Sequence, residues 1–567
     1  MVRAYQNFTK TQNPIATPQS QPIPGREAEM LPNNTSGFGF KLNDWERLNR
    51  FLIIGSERGT YYVSETKLTE QNAEVAIRCI KADGVRAVEM AVNINLQNRA
   101  PKVDSQLFVL ALALKHGDAA TKKAVESAAP RVLRTGTHVL HFASVLDGLG
   151  GWNRTKRRII ARWFEDQLID KLAFQVLKYQ NRDGWRMLDL LRVSHPRAVM
   201  LMGDVYEPSQ ERAAVYDWVR GKTEGAVIAG ESHWPAALPA ILGQHGTMNA
   251  LAVADPAKAA LWGIGHGLPR EALPTEALND PKVWTALLPD MPPHALLRNL
   301  GNLSKHGVIT NGSPAAVQAC QKLRDTEALK KARVHPFAVL LAALVYRSGK
   351  SVRGSGAWPV TPSIMAALED AYDATFANVT PTGARILIGV DISGSMGVSC
   401  VGSPIAAATA AQAMAVTLAR LEPNAVVVEF DTVVQRIVPV TPRTGIASLQ
   451  ENTNGGGTDV AAPICWAAGT VPTRPNYGFR SGGLAPQGPQ VFDAFIILTD
   501  NESWAGKIHP AQALEQYRKT VNPKAKLICC SMAANHANVV DPEDVLSLGC
   551  AGLDTNLPSI AAEFIRG

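Results

Sequence analysis

Three polar residues follow the first strongly apolar run in the last third of the chain. The run 386–390 (ILIGV) leads directly into Asp391-Ile392-Ser393-Gly394-Ser395. One carboxylate and two hydroxyls at alternate positions offer hard oxygen ligands on one side of a loop, which suits Mg²⁺ or another divalent cation. Asp and Ser are also common in ordinary turns, so the motif needs support from its neighbours.

Two later loops give that support. Gly455-Gly456-Gly457-Thr458-Asp459 is one, and Asp500 follows the apolar run 494–498 as the other. In a doubly wound sheet the loops at the carboxyl ends of the strands form the ligand crevice, so these loops should meet Asp391. Thr458 could add a hydroxyl directly or through water, and Asp500 could add a carboxylate to the metal or to its surroundings.

A second candidate site is basic. On a helix over 152–164, apolar side chains pair at i,i+4, namely Ile159 with Trp163 and Ile160 with Phe164. Another face carries Arg154, Arg158 and Arg162, spaced to follow a phosphate backbone. A solvated charged face is the alternative. The basic series then continues with Tyr179 and Trp185 interleaved, which favours RNA because aromatic rings stack on unpaired bases: Lys171, Lys178, Arg182, Arg186, Arg192, His195 and Arg197.

The elements that must hold these residues change in character near residue 379. From about Phe38 to Asn378 short helical patterns dominate, as in 105–114, 325–345 and 363–377, which suits stacked helix pairs. After 379, apolar runs at 386–390, 425–430, 494–498 and 526–531 alternate with helical stretches, which predicts a parallel sheet covered on both faces. Residues 1–36 are polar and proline-rich and predict a flexible arm. We therefore expect three parts: 1–36, 37–378 and 379–567.

Charge is unevenly distributed over these parts. The 567 residues carry 57 basic and 50 acidic side chains, of which 45 and 35 precede residue 379 and 12 and 15 follow it. Residues 1–378 therefore have a net charge of +10 and residues 379–567 a net charge of −3. A polyanion would be drawn to the helical part, although ordinary solubilising charge explains the excess equally well.

Several classes of protein are disfavoured. A mean hydropathy of −0.04 and the lack of a long uncharged apolar run argue against a membrane protein. Seven cysteines without paired spacing and no secretory signal indicate a reduced, cytoplasmic protein. Gly349-Lys350-Ser351 resembles the end of a phosphate-binding loop but has Leu344 where that motif needs glycine. No order of catalytic residues stands out, so we expect no enzyme.

The polar loops after the apolar runs resemble the von Willebrand factor A fold with its metal-ion-dependent adhesion site. By that resemblance the metal ligands are Asp391, Ser393, Ser395, Thr458 and Asp500. Such a metal usually accepts a carboxylate from a partner, which implies recognition rather than catalysis.

Several further motifs, in one order, look like the TROVE module of the Ro autoantigen ribonucleoproteins, a family that also ends in an A-type domain. They are Gly55-Ser56-Glu57-Arg58-Gly59-Thr60-Tyr61-Tyr62, Lys178-Tyr179 through Gly184-Trp185, Asp189-Leu190-Leu191-Arg192-Val193-Ser194-His195, Leu296-Leu297-Arg298-Asn299-Leu300-Gly301 and Arg333-Val334-His335-Pro336-Phe337.

This resemblance implies a ring of HEAT-like helix pairs closed by the A domain. In that family Y-like noncoding RNA binds the outer surface, and single-stranded 3′ ends of misfolded or structured RNAs enter a central hole, for RNA quality control. The residues that contact Y RNA fall on Lys178 and His195. Phosphate contacts are expected from Arg154, Arg158, Arg162, Lys178 and Arg182. An exoribonuclease tethered through RNA is a further implied partner.

One rival interpretation remains open. The A domain could act as a metal-dependent protein-binding adhesion module, with the basic helices as its scaffold. That function predicts binding that depends on metal and only weakly on salt, whereas RNA binding predicts a steep loss of affinity with salt.

Overall fold

The computed structural model describes residues 16–55, 65–202, 205–228, 231–351, 355–376, 380–400, 405–442, 444–446, 449, 453, 456–470, 488–533 and 537–567. Residues 56–62 of the first TROVE-like motif and Gly455 of the glycine-rich loop lie outside these ranges. No helix in the described ranges combines the length and apolar character that a membrane span requires.

The part before residue 379 is built mainly of helices, each packed largely on its neighbours in sequence. The basic stretch forms the helix Arg154–Glu165, and the predicted helix over 325–345 is split at Ala332 to His335. The helices are Asp44–Ile54, Glu65–Leu96, Asp104–His116, Ala119–Val132, Gly136–Gly148, Arg154–Glu165, Ile169–Lys178, Met187–Ser194, Gln210–Val219, Ala240–Ala252, Pro256–Gly265, Pro281–Leu287, Pro293–Lys305, Pro314–Arg324, Thr326–Lys331, Pro336–Arg347 and Pro362–Thr375.

Short antiparallel hairpins interrupt this helical part. They pair Asn181–Arg182 with Trp185–Arg186, Val199–Met202 with Val205–Pro208, and Ala226–Ile228 with Glu231–His233. The first has Asp183 and Gly184 at its tip with φ of 49° and 81°. Positive φ at both tip residues is what a two-residue hairpin turn needs, and Asp-Gly tolerates it.

The helical part closes on itself and on the C-terminal domain. Arg333 Nη1 donates to the carbonyl of Asn95, 238 residues earlier, at 3.4 Å. Arg99 Nη2 donates to Asp554 Oδ2 at 2.8 Å, and Thr555 Oγ1 donates to the carbonyl of Asn98 at 3.0 Å. The segment Glu65–Leu96 consists of two helices joined by a kink at Asp83, and its end therefore lies where both parts of the chain meet.

The C-terminal domain is a six-stranded sheet with helices on both faces. The edge strand Val434–Val438 is antiparallel and the other neighbours are parallel. The strand order is Val434–Val438, Ala425–Phe430, Ile386–Asp391, Ala494–Thr499, Lys526–Ser531 and Ser547–Ala551. The helices are Ala407–Leu421, Ala462–Ala467, Pro510–Thr520 and Leu557–Arg566.

Alternate residues of the central strands belong to two different cores. Ile386, Ile388 and Val390 pack in the core that continues into the helical part, whereas Leu387 packs with Phe495 on the opposite face. Every residue of Ile386–Asp391 is buried, as expected for a parallel strand between two helical layers. The observed order, a helical part followed by a doubly wound sheet with helices on both faces, agrees with the predicted fold class.

Residues 16–36 correct the prediction of a flexible arm for this stretch. Thr17 N–H donates to Gln512 Oε1 at 3.0 Å and Gln19 N–H to the carbonyl of Gly506 at 2.9 Å. The strand Met30–Pro32 pairs with Phe38–Lys41, which pairs in turn with Ala537–Asn538. Polar composition suggested disorder, but the polar groups of this segment find hydrogen-bond partners in the A-type domain instead of burying a large apolar surface of their own.

Candidate functional site

Asp391 ends the central strand Ile386–Asp391 and is fully buried. Its Oδ1 accepts from the N–H of Ser393 at 2.9 Å, and its Oδ2 accepts from the hydroxyl of Thr499 at 2.5 Å. Ser393 Oγ lies 3.2 Å from Ser395 Oγ. The strand end therefore holds one buried carboxylate close to three buried hydroxyls, those of Ser393, Ser395 and Thr499.

The other two predicted loops meet this strand end. Ser395 hydrogen-bonds the carboxylate of Asp500. Gly394 N–H donates to the carbonyl of Gly456 at 3.2 Å, which joins the Asp391 loop to the loop of Thr458. Trp504 N–H donates to the carbonyl of Thr458 at 3.0 Å, which joins that loop to the segment after Asp500. We call Asp391, Ser393, Ser395, Thr458 and Asp500 together the oxygen site.

The electrostatics of the oxygen site suit a divalent cation. Burial and the neighbouring Asp500 carboxylate raise the pKa of Asp391 to about 7. Burial likewise raises the pKa of Asp500. A hard cation would remove the repulsion between two buried carboxylates and accept the hydroxyl oxygens. Within the described ranges no group of three or more His, Cys, Asp or Glu side chains is placed to hold a metal ion, so a metal here would rest on these two carboxylates and their hydroxyl neighbours.

The surroundings of the oxygen site include residues that the sequence did not single out. Gln19 Nε2 donates to Asp459 Oδ1 at 2.7 Å, and Asn34 Nδ2 donates to Glu502 Oε1 at 2.6 Å. Both acceptors are buried and lie next to oxygen-site loops. Their partners are 440 and 468 residues away in sequence, so no local pattern could reveal them.

The helix Arg154–Glu165 presents the predicted cations to solvent. Asn153 caps its start by accepting from Lys156 N–H at 3.0 Å, and its apolar side, including Ile160 and Phe164, is buried. The opposite side exposes three arginines, which we call the arginine face: Arg154, Arg158 and Arg162.

One member of the arginine face already has an acidic partner. Arg158 Nε pairs with Glu126 of the neighbouring helix Ala119–Val132, and its side chain is 42% exposed. No ion pair of Arg154 or Arg162 occurs among the described residues. The prediction did not include Glu126, because its approach depends on how two helices pack.

The hairpin after this helix holds the next cation and an aromatic ring. Arg182 is exposed at the tip beside Asp183, with Nε 3.4 Å from Oδ1. Trp185 on the returning strand packs against Trp152, with ring centroids 5.2 Å apart. Trp185, one of the two aromatic residues that interrupt the basic series, therefore packs against the residue just before the basic helix.

Lys178 and His195 occupy different environments. The Lys178 side chain is 17% exposed, with Nζ 3.9 Å from Glu271 Oε2 and 5.5 Å from the ring centres of Phe174 and Tyr179. His195 is exposed and ends the helix Met187–Ser194 with a left-handed backbone, φ 48°. The structure therefore brings Asp391, Ser393, Ser395 and Asp500 together and joins the Thr458 loop to theirs through backbone hydrogen bonds. The basic residues are distributed over several elements.

The chain is similar to known proteins over nearly its whole length. Family models for the TROVE domain match residues 31–269 and 263–348, and the model for the Ro60 vWA domain matches 385–471 and 484–565. A protein of Deinococcus radiodurans named RNA-binding protein RO60 is 36% identical over 568 residues, 99% of each chain. One of Caenorhabditis elegans with the same name is 29% identical, covering 94% of this chain and 90% of the relative.

A solved structure agrees with these matches. The crystal structure of the Deinococcus radiodurans RO (RSR) protein covers 92% of this chain and 99% of its own, with a TM-score of 0.63 and 35% identity. Domain order, sequence and fold thus point the same way, and the chain belongs to the Ro60 family of RNA-binding proteins, in which a TROVE domain precedes a von Willebrand factor A domain.

Proposed function

We propose that this protein binds Y-like noncoding RNA on the outer surface of its helical domain. It would also hold single-stranded 3′ ends of misfolded or structured RNA in a central hole, in the service of RNA quality control. The observation that carries the proposal is the solvent-exposed arginine face on a chain whose relatives are named RNA-binding proteins. An exoribonuclease tethered through the RNA would act on the bound ends, and no catalytic role is proposed for this chain.

The described contacts suggest how RNA would be held. Arg154 and Arg162 are exposed and can approach phosphates directly, and the exposed Arg182 would exchange its contact with Asp183 for a phosphate. Such contacts supply affinity with little sequence preference. Arg158 would exchange Glu126 for a phosphate, and Lys178 would exchange Glu271. His195 projects from a helix end, where it can contact RNA without leaving a buried position. Selectivity would come from RNA shape.

The oxygen site would serve a separate task. We propose that it binds Mg²⁺ or another divalent cation through Asp391, Ser393, Ser395, Thr458 and Asp500, and that the cation docks a carboxylate of a partner. Support comes from the two buried carboxylates and the clustered hydroxyls. This geometry also favours the second candidate function, a metal-dependent adhesion module. Cytoplasmic location stays a prediction from the cysteine usage.

Filter binding separates the two functions. A structured RNA with a single-stranded 3′ tail would be titrated between 50 and 200 mM salt, with Mg²⁺ and with EDTA. Five phosphate contacts, each contributing a slope of about −0.9, predict a loss of affinity of roughly 500-fold over this range. EDTA should leave the slope unchanged. A flat salt series would contradict the RNA proposal, and binding lost in EDTA at low salt would favour the adhesion module.

A further inference from the structure

A cavity of about 340 Å³ lies at the seam between the two domains. Its walls come from the helices Asp44–Ile54 and Glu65–Leu96 of the helical domain and from the strands Ala537–Asn538 and Ser547–Ala551 of the A-type domain. This volume is in the range of pockets that hold small metabolites. We call it the seam pocket, defined by Trp45, Asn49, Arg50, Arg86, Asn538 and Gly549.

Arg50 makes the seam pocket chemically unusual. Its side chain lines the cavity although the residue is only 3% exposed. Neither Nη1 nor Nη2 has a hydrogen-bond partner in the described structure, and none of the ion pairs found there includes this residue. Buried guanidinium groups are normally paired, because an isolated buried charge is strongly unfavourable. Both nitrogens are enclosed by surrounding atoms, so an anion in the cavity reaches this unpartnered guanidinium by a turn of the Arg50 side chain toward it.

The neighbouring groups supply only part of the missing negative charge. Glu46, one turn earlier on the helix, influences Arg50 electrostatically, but its carboxylate accepts from the N–H of Asn43 at 3.2 Å. Burial raises the pKa of Cys529 and of Cys550 to about 12, so both thiols are neutral near pH 7. Burial lowers the pKa of Arg50, but arginine remains charged in proteins.

The rest of the lining suits an anion attached to a larger body. The Arg86 guanidinium lies 4.2 Å from the ring centre of Trp45, which adds a second positive charge at the wall. Asn49 and Asn538 bring amide groups to the cavity. A Cβ at Gly549 would come within 2.7 Å of Asn538 Nδ2 and 3.5 Å of Arg50 Nη2, so glycine keeps this wall open.

We propose that the seam pocket binds a small phosphate-bearing metabolite, with Arg50 holding the phosphate. Two guanidinium groups against one nearby carboxylate leave an excess of positive charge, and planar guanidinium groups match phosphate oxygens in pairs. The remaining volume accommodates the body of the ligand beside Trp45. A molecule here touches both domains at once, so its binding stabilises their contact. The proposal concerns neither the arginine face nor the oxygen site.

Thermal unfolding of the whole chain tests whether a phosphate-bearing ligand binds in the seam pocket. Inorganic phosphate and AMP would be titrated separately at constant ionic strength, with chloride as the balancing anion. Both should raise the melting temperature in a saturable way, because a ligand that binds only the folded state stabilises it. AMP should reach half of its effect at a concentration at least tenfold lower than phosphate, since it also fills the cavity. No shift with either probe would overturn the proposal.

Three variants test whether the rise in melting temperature comes from binding at Arg50. Arg50→Met should abolish the response to both probes and should melt no lower than the wild type in chloride alone, because it removes an unpaired buried charge. Arg50→Lys should need at least tenfold more AMP for the same shift. Arg131→Met, which removes an exposed arginine of the helix Ala119–Val132, is the matched control and should respond like the wild type. A full response by Arg50→Met would overturn the proposal.

Two further measurements keep the test decisive if Arg50→Met fails to fold. Equilibrium dialysis of the wild type with radiolabelled AMP should show one site per chain, and clearly less than one at saturation would contradict the proposal. Adding structured RNA should leave bound AMP in place. Displacement of AMP by RNA would show that the pocket belongs to the RNA path, which would overturn the assignment of a separate metabolite site.

Discussion

The oxygen site and the arginine face differ in how far the fold prepares them for a ligand. At the oxygen site, Asp391 and its neighbours are buried and held by hydrogen bonds such as that from Thr499, so little would remain to be ordered if the proposed cation bound. On the arginine face the side chains are exposed, and Arg158 already pairs with Glu126. Under the proposed functions, the oxygen site would bind its ion with a preorganised geometry, and the affinity of the exposed arginine face for RNA would depend on salt.

Removing the arginine face should have the largest effect. At about 0.15 M salt each phosphate contact contributes roughly fivefold through counterion release. The combined change of Arg154, Arg158 and Arg162 to alanine should therefore weaken RNA binding about 100-fold and reduce the salt slope by about three units. Filter binding across a salt series measures both. Arg324→Ala, an exposed arginine on a different helix, should leave the slope unchanged. An unchanged slope in the triple variant would show that these arginines do not touch RNA.

Asp391→Ala tests the oxygen site. At ten times its dissociation constant, a cation that binds only the folded state stabilises it by about 1.4 kcal/mol. The variant should lose this Mg²⁺-dependent stabilisation, seen by calorimetry, and should retain RNA binding. Asp493→Ala, which removes a carboxylate just before the other end of the strand Ala494–Thr499, is the control and should keep the Mg²⁺ response. Loss of RNA binding in folded Asp391→Ala would contradict the separation of the two tasks.

The sequence revealed strong local patterns and missed contacts made over long distances. The apolar runs 425–430 and 526–531 coincide with the observed strands, because a parallel strand between two helical layers must be apolar along its length. The edge strands Val434–Val438 and Ser547–Ala551 were not predicted. They are partly exposed, so their residues lack that continuous pattern.

At the candidate sites, too, residues fixed by local sequence were predictable and partners brought in by tertiary packing were not. Asp391, Ser393 and Ser395 were predictable because a strand end fixes them within five residues. The partners of Arg158 and Lys178, Glu126 and Glu271, were not, since each sits on an element whose approach depends on tertiary packing. Charge in a sequence therefore indicates a surface and does not tell which of its cations are already neutralised.

Asn34→Ala tests whether the segment before residue 37 stabilises the loop next to the oxygen site. The side chain donates to the buried Glu502 carboxylate at 2.6 Å, and a hydrogen bond to a charged group contributes about 1.5–3 kcal/mol. Because the backbone N–H of Asn34 also reaches Glu502, we expect a loss of about 1 kcal/mol of unfolding free energy. Calorimetry measures it. The exposed Asn249→Ala is the control, and equal melting of both variants would contradict the role of Asn34.

Glu126→Gln should have the smallest effect and the opposite sign. Releasing Arg158 from its surface ion pair, worth about 0.2–1 kcal/mol, should strengthen RNA binding roughly two- to fivefold at low salt. Asp370→Asn is a matched control, since it also adds one positive unit and releases an arginine, Arg324, on another helix. A similar gain in both variants would mean that only net charge matters.

The attachment of residues 16–36 to the A-type domain has a consequence for how the chain is made. Gln19 and Thr17 find their partners 440 and 495 residues later. At about 5–20 residues per second, a ribosome needs roughly 20 to 100 s to supply those partners. A polar, proline-rich segment remains soluble during that interval, whereas an exposed apolar segment would promote aggregation. The same composition that resembles disorder thus lets residues 16–36 remain unpaired until the A-type domain has been synthesised.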